Sequence, residues 1–428
     1  MQTIDTTTRD AIVAAVDARR DSIADELLQL VGVSSVTGNE GPVQGIVEHL
    51  LRQRDLAVDR WEATPDEIAP YLGHVVAQPH YEGRPNLAGV RAGAGGGRSL
   101  LLNAHVDTVD PGERAAWNHD PAGEIVDGRI YGRGACDMKG GLVTHLAALD
   151  ALDAAGIRLG GDVTVSSTVG EENGGVGSLS TVLRGYRADA ALITEPTKLA
   201  LIPAQGGSLV FRLTVPGRSA HGAVRDRGVS ALEKFLPLHA ELLAMERERN
   251  AAMRHPLYQH LSNKMPISVG SVRAGNWPST VPESLVAEGR LGFAPGEEME
   301  DIQRLTEERL ATVAARDPWL RDHPPRLEWV GGQFASAEVP LDAPLCDAVR
   351  SAHEAATGTP VAVEGVPYGA DMRLFTRFGG MPCVMYGAGD VDVCHAPDEF
   401  IALDDLLTAA KTVAILLAGW CGVSEQPG

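Results

Sequence analysis

Basic residues are scarce: 37 Lys and Arg stand against 57 Asp and Glu, a formal net charge of -20 over 428 residues. So acidic a chain repels a phosphate backbone and an anionic bilayer, which excludes nucleic acid and membrane as main partners and favours a small or metal-bound ligand. Carboxylates that hold cations count in that sum while the cations do not, so part of the excess fits internal ligands. No uninterrupted apolar run reaches the roughly 18 residues of a membrane span. Even the last apolar segment, Leu403 to Trp420, carries Asp404, Asp405 and Lys411. The start, with Asp5 and Asp10, lacks the basic end and apolar run of a secretory signal, so no export is expected and the cytoplasm is the expected compartment. The five cysteines (Cys136, Cys346, Cys383, Cys394, Cys421) are widely scattered, which suits reduced thiols and excludes a disulfide framework. Internal repeats and low-complexity tracts are absent, and no serine or cysteine sits in a nucleophile motif.

A hydrophobic content of 44% is enough for a large core, and the length suggests two domains or one with a sizeable insertion. Helical spacing of apolar residues predicts helices over Asp21 to Leu30 and Pro42 to Leu51, broken by Gly38-Asn39-Glu40-Gly41. Strands are predicted at Asn86 to Val90, Ser99 to Val106, Asp162 to Val169 and Ala188 to Ile193, with a helix at Leu142 to Ala155, the alternation of an α/β layer. From about Ser208 the order becomes β-α-β-β-α-β, that of a ferredoxin-like unit. The expected architecture is a catalytic α/β domain, 1–207 and 335–428, with a central mixed sheet, flanking helices and an inserted α+β domain at 208–334.

Several segments carry groups capable of chemistry. His105 and Asp107 stand two apart at a strand end, where a period of two points both side chains one way. Asp137 sits in the glycine-flanked turn Gly134-Ala135-Cys136-Asp137-Met138-Lys139-Gly140-Gly141, where an acid is either a helix cap or a ligand. Glu171 and Glu172 follow a buried strand. Consecutive side chains diverge there, so one carboxylate can bind a cation while its neighbour faces elsewhere in the cleft. Glu195 ends the following strand, and His395 follows a glycine-rich loop. Taken alone, His105 and Asp107 read first as a structural pair and Asp137 as a cap, while two solvated acids at Glu171 and Glu172 would leave the apolar strand before them unexplained. In order, nearly all lie at the carboxyl ends of predicted strands, where open α/β sheets place their sites.

In these five segments, and over nearly the whole chain, the sequence resembles the acetylornithine deacetylase and succinyl-diaminopimelate desuccinylase family, which includes aminoacylases and glutamate-releasing carboxypeptidases. The resemblance implies a zinc-aminopeptidase-like catalytic domain and two divalent metal ions, zinc foremost, with cobalt or manganese accepted by the same donors. His105 and Glu195 would hold one ion, Glu172 and His395 the other, with Asp137 bridging. It further implies that Glu171 is the general base, that Asp107 orients His105, and that the Asp137–Met138 peptide is cis. His221, in Gly217-Arg218-Ser219-Ala220-His221-Gly222, resembles the family histidine that stabilises the oxyanion, often in the partner subunit's site, so the inserted domain is expected to act as lid and to form a homodimer. The implied reaction is deacylation of an N-acyl amino acid such as N-acetylornithine or N-succinyl-diaminopimelate. Alternatives are dipeptide or carboxypeptidase-type cleavage, deformylation of an amine, and, from another class, a catalytically silent binding protein.

Tyr368-Gly369-Ala370-Asp371-Met372-Arg373 is similar to the family loop that contacts the substrate, which implies roles there for Asp371 and for Arg373, an Arg able to take a carboxylate through two parallel hydrogen bonds or, at a helix start, to pair with a structural acid. The chain departs from the family where many members have an Arg, here Gly292, and where Asn-x-x-Pro reads Ser279-Thr280-Val281-Pro282. Both positions help hold an α-carboxylate in relatives, so that preference does not carry over. Arg290, two residues from Gly292 on the same strand face, is the candidate substitute.

Overall fold

Three consecutive leucines, Leu100 to Leu102, and the β-branched run Val163–Thr168 are wholly buried and form the middle of a sheet. Burial on both faces removes any need for polar alternation, and each leucine so enclosed contributes about 1.5–3 kcal/mol of apolar transfer energy. The computed structural model describes residues 4–424. It divides into two units, one of Met1–Pro203, Val339–Glu364 and Ala370–Gly428, the other of Ala204–Glu338 and Gly365–Gly369.

In the first unit the strand order is Ala57–Trp61, Asn86–Arg91, Val163–Thr168, Leu100–His105, Ala191–Ile193, Cys383–Met385. Leu100–His105, Val163–Thr168, Ala191–Ile193 and Cys383–Met385 run parallel, and the first two strands pair antiparallel, so the sheet is mixed as expected. His105 lies in register with Thr168, and Asn103 with Ile193. The segments carrying His105, Glu171-Glu172 and Glu195 therefore leave the sheet along one edge. Helices Gly140–Ala154 and Leu403–Cys421 pack together and are buried around most of their circumference, which accounts for their nearly continuous apolar sequence. Gly141 allows close approach: a Cβ there would meet the Thr194 carbonyl oxygen at 2.4 Å.

Two features differ from the sequence expectation. Thr6–Asp17 is a helix where no element is predicted, because the β-branched run Thr6 to Thr8 is a poor helix former. Asp5 offsets that by accepting the N–H of Thr8 (2.8 Å), and Ile12 and Val16 bury one face. A small antiparallel sheet, Glu124–Val126, Arg129–Tyr131 and Phe400–Ala402, also escapes periodicity, since its strands are only three residues long.

The second unit has strands Gly207–Pro216, Ile267–Ala274, Ser284–Phe293 and Arg326–Phe334 with helices Ala231–Ala252 and Met299–Arg316. All strand pairs are antiparallel, in the order Ile267–Ala274, Ser284–Phe293, Gly207–Pro216, Arg326–Phe334, the ferredoxin-like arrangement. Leu209, Phe211, Leu213 and Val215 alternate inward from the central strand onto Phe235, Leu238, Leu242 and Leu310 of the helices. The unit extends beyond Ser208 and Phe334 on both sides and takes in Gly365–Gly369 as well. Among the described residues no helix is long and apolar enough to cross a membrane.

Candidate metal centre and active site

His105 closes its strand with the ring oriented by a main-chain contact. Its Nδ1 lies 2.9 Å from the carbonyl oxygen of Asp107, and a carbonyl only accepts, so Nδ1 carries a proton and Nε2 is the nitrogen left to face Asp137 or, once its own proton is displaced, a metal. The Asp107 carboxylate is farther, with Oδ1 3.6 Å from Nδ1. Asp107 thus orients His105 chiefly through its backbone, while its side chain accepts the N–H groups of Glu171 and Glu172, both at 3.1 Å, and the Thr37 hydroxyl at 3.0 Å. The carboxylate lies near the ring and anchors the acid turn at the same time.

Asp137 lies in an irregular turn, Ala135–Lys139, entered through Gly134 in the left-handed region, and its peptide bond to Met138 is cis. One carboxylate oxygen stands 3.0 Å from His105 Nε2 and the other 3.4 Å from His395 Nε2. Glu195 Oε1 is 4.0 Å from His105 Nε2, and Glu172 Oε2 is 3.0 Å from His395 Nε2. Two triads result, His105–Asp137–Glu195 and Asp137–Glu172–His395, each with one donor atom per residue within 4.8 Å of the others. Asp137 belongs to both.

The donor set fits two divalent cations. Among the described residues the ion-pair partners of Asp137, Glu172 and Glu195 are His105 and His395, so histidine alone answers three enclosed carboxylates. Uncompensated carboxylates at such a site are costly unless they are neutralised or coordinate metal. Their titration reflects this. Glu195 is pushed up to about 8 by burial, against the pull of His105 and with the repulsion of Asp137. His395 rises to about 10 through hydrogen bonds to Asp137 and Glu172. Burial works against charging His105, yet Asp137, Glu195 and Asp107 hold it well above the imidazole range. Asp137 is lowered, burial being outweighed by its bonds to the two rings. Without metal the imidazolium rings supply the positive charge that cations would bring.

Glu171 stands outside both triads, and burial first, then the charge of Asp371, raises it far above the ordinary carboxylate value. A carboxyl with raised affinity for a proton, beside a metal centre, is suited to accept and return one. Arg373, expected at the substrate, is buried and donates from Nη2 to the Gly174 carbonyl (3.1 Å). A guanidinium so enclosed supports the turn that carries Glu171. Asp371 is also buried and abuts Gly175, whose added Cβ would lie 2.2 Å from Oδ1.

His221 and Arg290 belong to the other unit. His221 is exposed, and its Nδ1 accepts the N–H of Ala223 (3.1 Å), which leaves the neutral ring's proton on Nε2. Arg290 donates to Ser208 Oγ (2.7 Å) and to the Pro367 carbonyl (2.9 Å).

Sequence reasoning passes over Glu399, which is buried, paired with Arg133 (2.6 Å), and bonded to the N–H groups of Cys136 (3.0 Å) and Asp137 (3.1 Å). The available signal is its place four residues after His395, where the notable neighbour draws attention away.

Fold and site together define a metal-dependent hydrolase of the kind that opens amide bonds. The profile of peptidase family M20/M25/M40 matches residues 101–418, and the chain belongs to that family. It is 27% identical to the N-formyl-4-amino-5-aminomethyl-2-methylpyrimidine deformylase of Halalkalibacterium halodurans, over 96% of this chain and 98% of that protein. It is 30% identical to the acetylornithine deacetylase of Myxococcus xanthus, over 79% and 84%. Human carnosine dipeptidase 1 shares the fold with a TM-score of 0.78 at 15% identity, over 98% of this chain and all of that one (100%).

Proposed function

We propose that the chain removes a short acyl group, formyl before acetyl or succinyl, from a small amine that carries no α-carboxylate. The carrying observation is that the arginines available to clamp a carboxylate are already engaged or missing. Arg373 is enclosed against Gly174, Arg290 is bonded to Ser208 and Pro367, and Gly292 has no side chain at all, a Cβ there standing 3.1–3.2 Å from Pro266. Similarity to a formylpyrimidine deformylase over nearly the full length of both proteins supports the same reading. Deacylation of an N-acyl amino acid is the second reading, supported by the acetylornithine deacetylase match.

His105, Asp137, Glu172, Glu195 and His395 would hold two divalent ions, with zinc the first choice for this donor set and cobalt or manganese acceptable. Such a pair supplies Lewis acidity to the amide carbonyl. Glu171 takes the proton of the attacking water and delivers it to the leaving nitrogen. His221, protonated at Nε2, donates to the developing oxyanion in its own chain or in the partner of a homodimer formed through the inserted unit. The compartment proposed is the cytoplasm.

The test is a panel of formyl, acetyl and succinyl amides of an aminomethylpyrimidine and of ornithine, assayed with protein reconstituted with each metal. Highest kcat/KM on the formyl amine is expected. Preference for N-acetylornithine would transfer the assignment to the second reading, and activity untouched by chelators would remove the metal reading altogether.

A further inference from the structure

Two loops carry the ligands that bind the triads to each other, residues 132–137 with the shared Asp137 and residues 394–399 with His395. Neither loop is regular at its ligand. His395 and Asp398 both have left-handed backbone, with φ of 59° and 58°, and Asp137 lies in a turn interrupted by non-helical angles. Something else must hold them, and three of the cross-links converge on one carboxylate.

Glu399 Oε1 accepts two consecutive main-chain N–H groups, of Cys136 (3.0 Å) and Asp137 (3.1 Å). Oε2 accepts from Arg133 Nη1 at 2.6 Å, and the other arm of that guanidinium donates to the Ala396 carbonyl at 3.2 Å. The Glu399 carbonyl accepts the N–H of Gly132 (2.9 Å), and beyond it Phe400–Ala402 pairs residue by residue with Arg129–Tyr131. The two ligand loops are thereby zipped into one body whose centre is a buried ion pair, with both partners nearly sealed from water.

We propose that Glu399, clamped by Arg133, is a positioning residue that sets the orientation of Asp137 and so couples the two metal-binding triads. Resting on the metal reading above, this adds a residue that coordinates nothing itself. The reason lies in the shared ligand. Each Asp137 oxygen faces a different imidazole, at 3.0 and 3.4 Å, so rotation of its main chain misdirects both at once. Two N–H bonds to a charged acceptor resist that rotation better than two to a neutral one. Outer-shell partners of this kind typically alter metal affinity by about 10–100-fold when replaced.

The experiment titrates the metal-free full-length chain with Zn2+ against a chromogenic chelator, for the parent protein and for Glu399→Gln. Binding of two equivalents by the parent tests the metal reading separately. Glu399→Gln should weaken binding of both ions by about 10–100-fold, lower kcat at limiting zinc with partial recovery in excess zinc, and leave KM nearly unchanged. Its metal-free melting temperature should fall, since Arg133 keeps a buried charge without its partner, and the rise on adding zinc should shrink as well, a second loss that a merely structural role would not produce. Parent-like affinity for both ions, or a loss confined to the metal-free melting temperature, overturns the proposal. Arg133→Lys serves where Glu399→Gln does not accumulate as folded protein. It keeps a positive charge opposite Glu399 but gives up the bond to Ala396, so the ion of Glu172 and His395 should weaken first. Unchanged binding of both ions in that variant overturns the proposal equally.

Discussion

The side chain of Asp107 holds the main chain of Glu171: Oδ1 accepts the Glu171 N–H at 3.1 Å, while Oδ2 accepts those of Glu172, also at 3.1 Å, and the Thr37 hydroxyl. One buried carboxylate therefore sets the main chain of the proposed proton-transfer group and of a metal-ligand candidate together. Burial pushes it up to about 6, so its charged, fully accepting form is lost as the pH falls through that value. Asp107→Asn turns one acceptor into a donor that faces other donors. A loss of kcat of about 10–100-fold is expected, with the chain still folded. Steady-state kinetics beside circular dichroism checks this, and parent-like kcat would show that the turn holds itself.

Glu171→Gln removes the proposed proton acceptor and keeps the shape. Turnover should fall about 100- to 10,000-fold with two metal equivalents retained. Elemental analysis alongside the assay decides it; a variant of normal activity removes Glu171 from the mechanism.

Metal binding should release protons. His105 and His395 are both raised, the latter to about 10, and Glu195 is raised to about 8, so at neutral pH and without metal all three hold protons that ligation must displace. The sign follows: affinity rises as pH rises and falls in acid. Calorimetry in buffers of different ionisation enthalpy should find about three protons released for two ions at pH 7. Affinity independent of pH between 6 and 8 would contradict the assigned ligands.

His221→Ala should lower kcat about 100- to 1,000-fold without altering metal content, as expected for loss of one oxyanion donor. Mixing this variant with Glu171→Gln distinguishes the two arrangements. Activity that recovers on mixing places the histidine in the partner's site, and no recovery keeps it within its own chain.

Gly141→Ala tests the packing beneath Glu195. The added methyl meets the Thr194 carbonyl at 2.4 Å and hydroxyl at 2.5 Å, and a helix buried on most sides has no room to withdraw. A stability loss of about 1–3 kcal/mol is expected in denaturant unfolding.

Much of this molecule was legible in the sequence because its elements obey strong local rules. The β-α-β-β-α-β order expected from about Ser208 is found, and the strand expected at Ser99 to Val106 is Leu100–His105, within a residue at each end. The helix Thr6–Asp17 and the three-residue strands near Phe400 were not legible, since a cap outweighs poor propensity in one and the pairing is non-local in the other.

For the site, residue identity and order determined which candidate donors exist: two histidines and three carboxylates at loop and strand ends, with a further acid beside one of them. That information survives in one dimension because a ligand's chemistry belongs to its own side chain. Tertiary structure alone decided that Arg373 supports a turn, that Arg290 is engaged at Ser208, and that Glu399 holds Asp137 from 262 residues away. A hydrogen-bond partner is chosen by proximity in space, and no periodicity along the chain encodes which distant carbonyl or N–H will stand 3 Å from a buried charge.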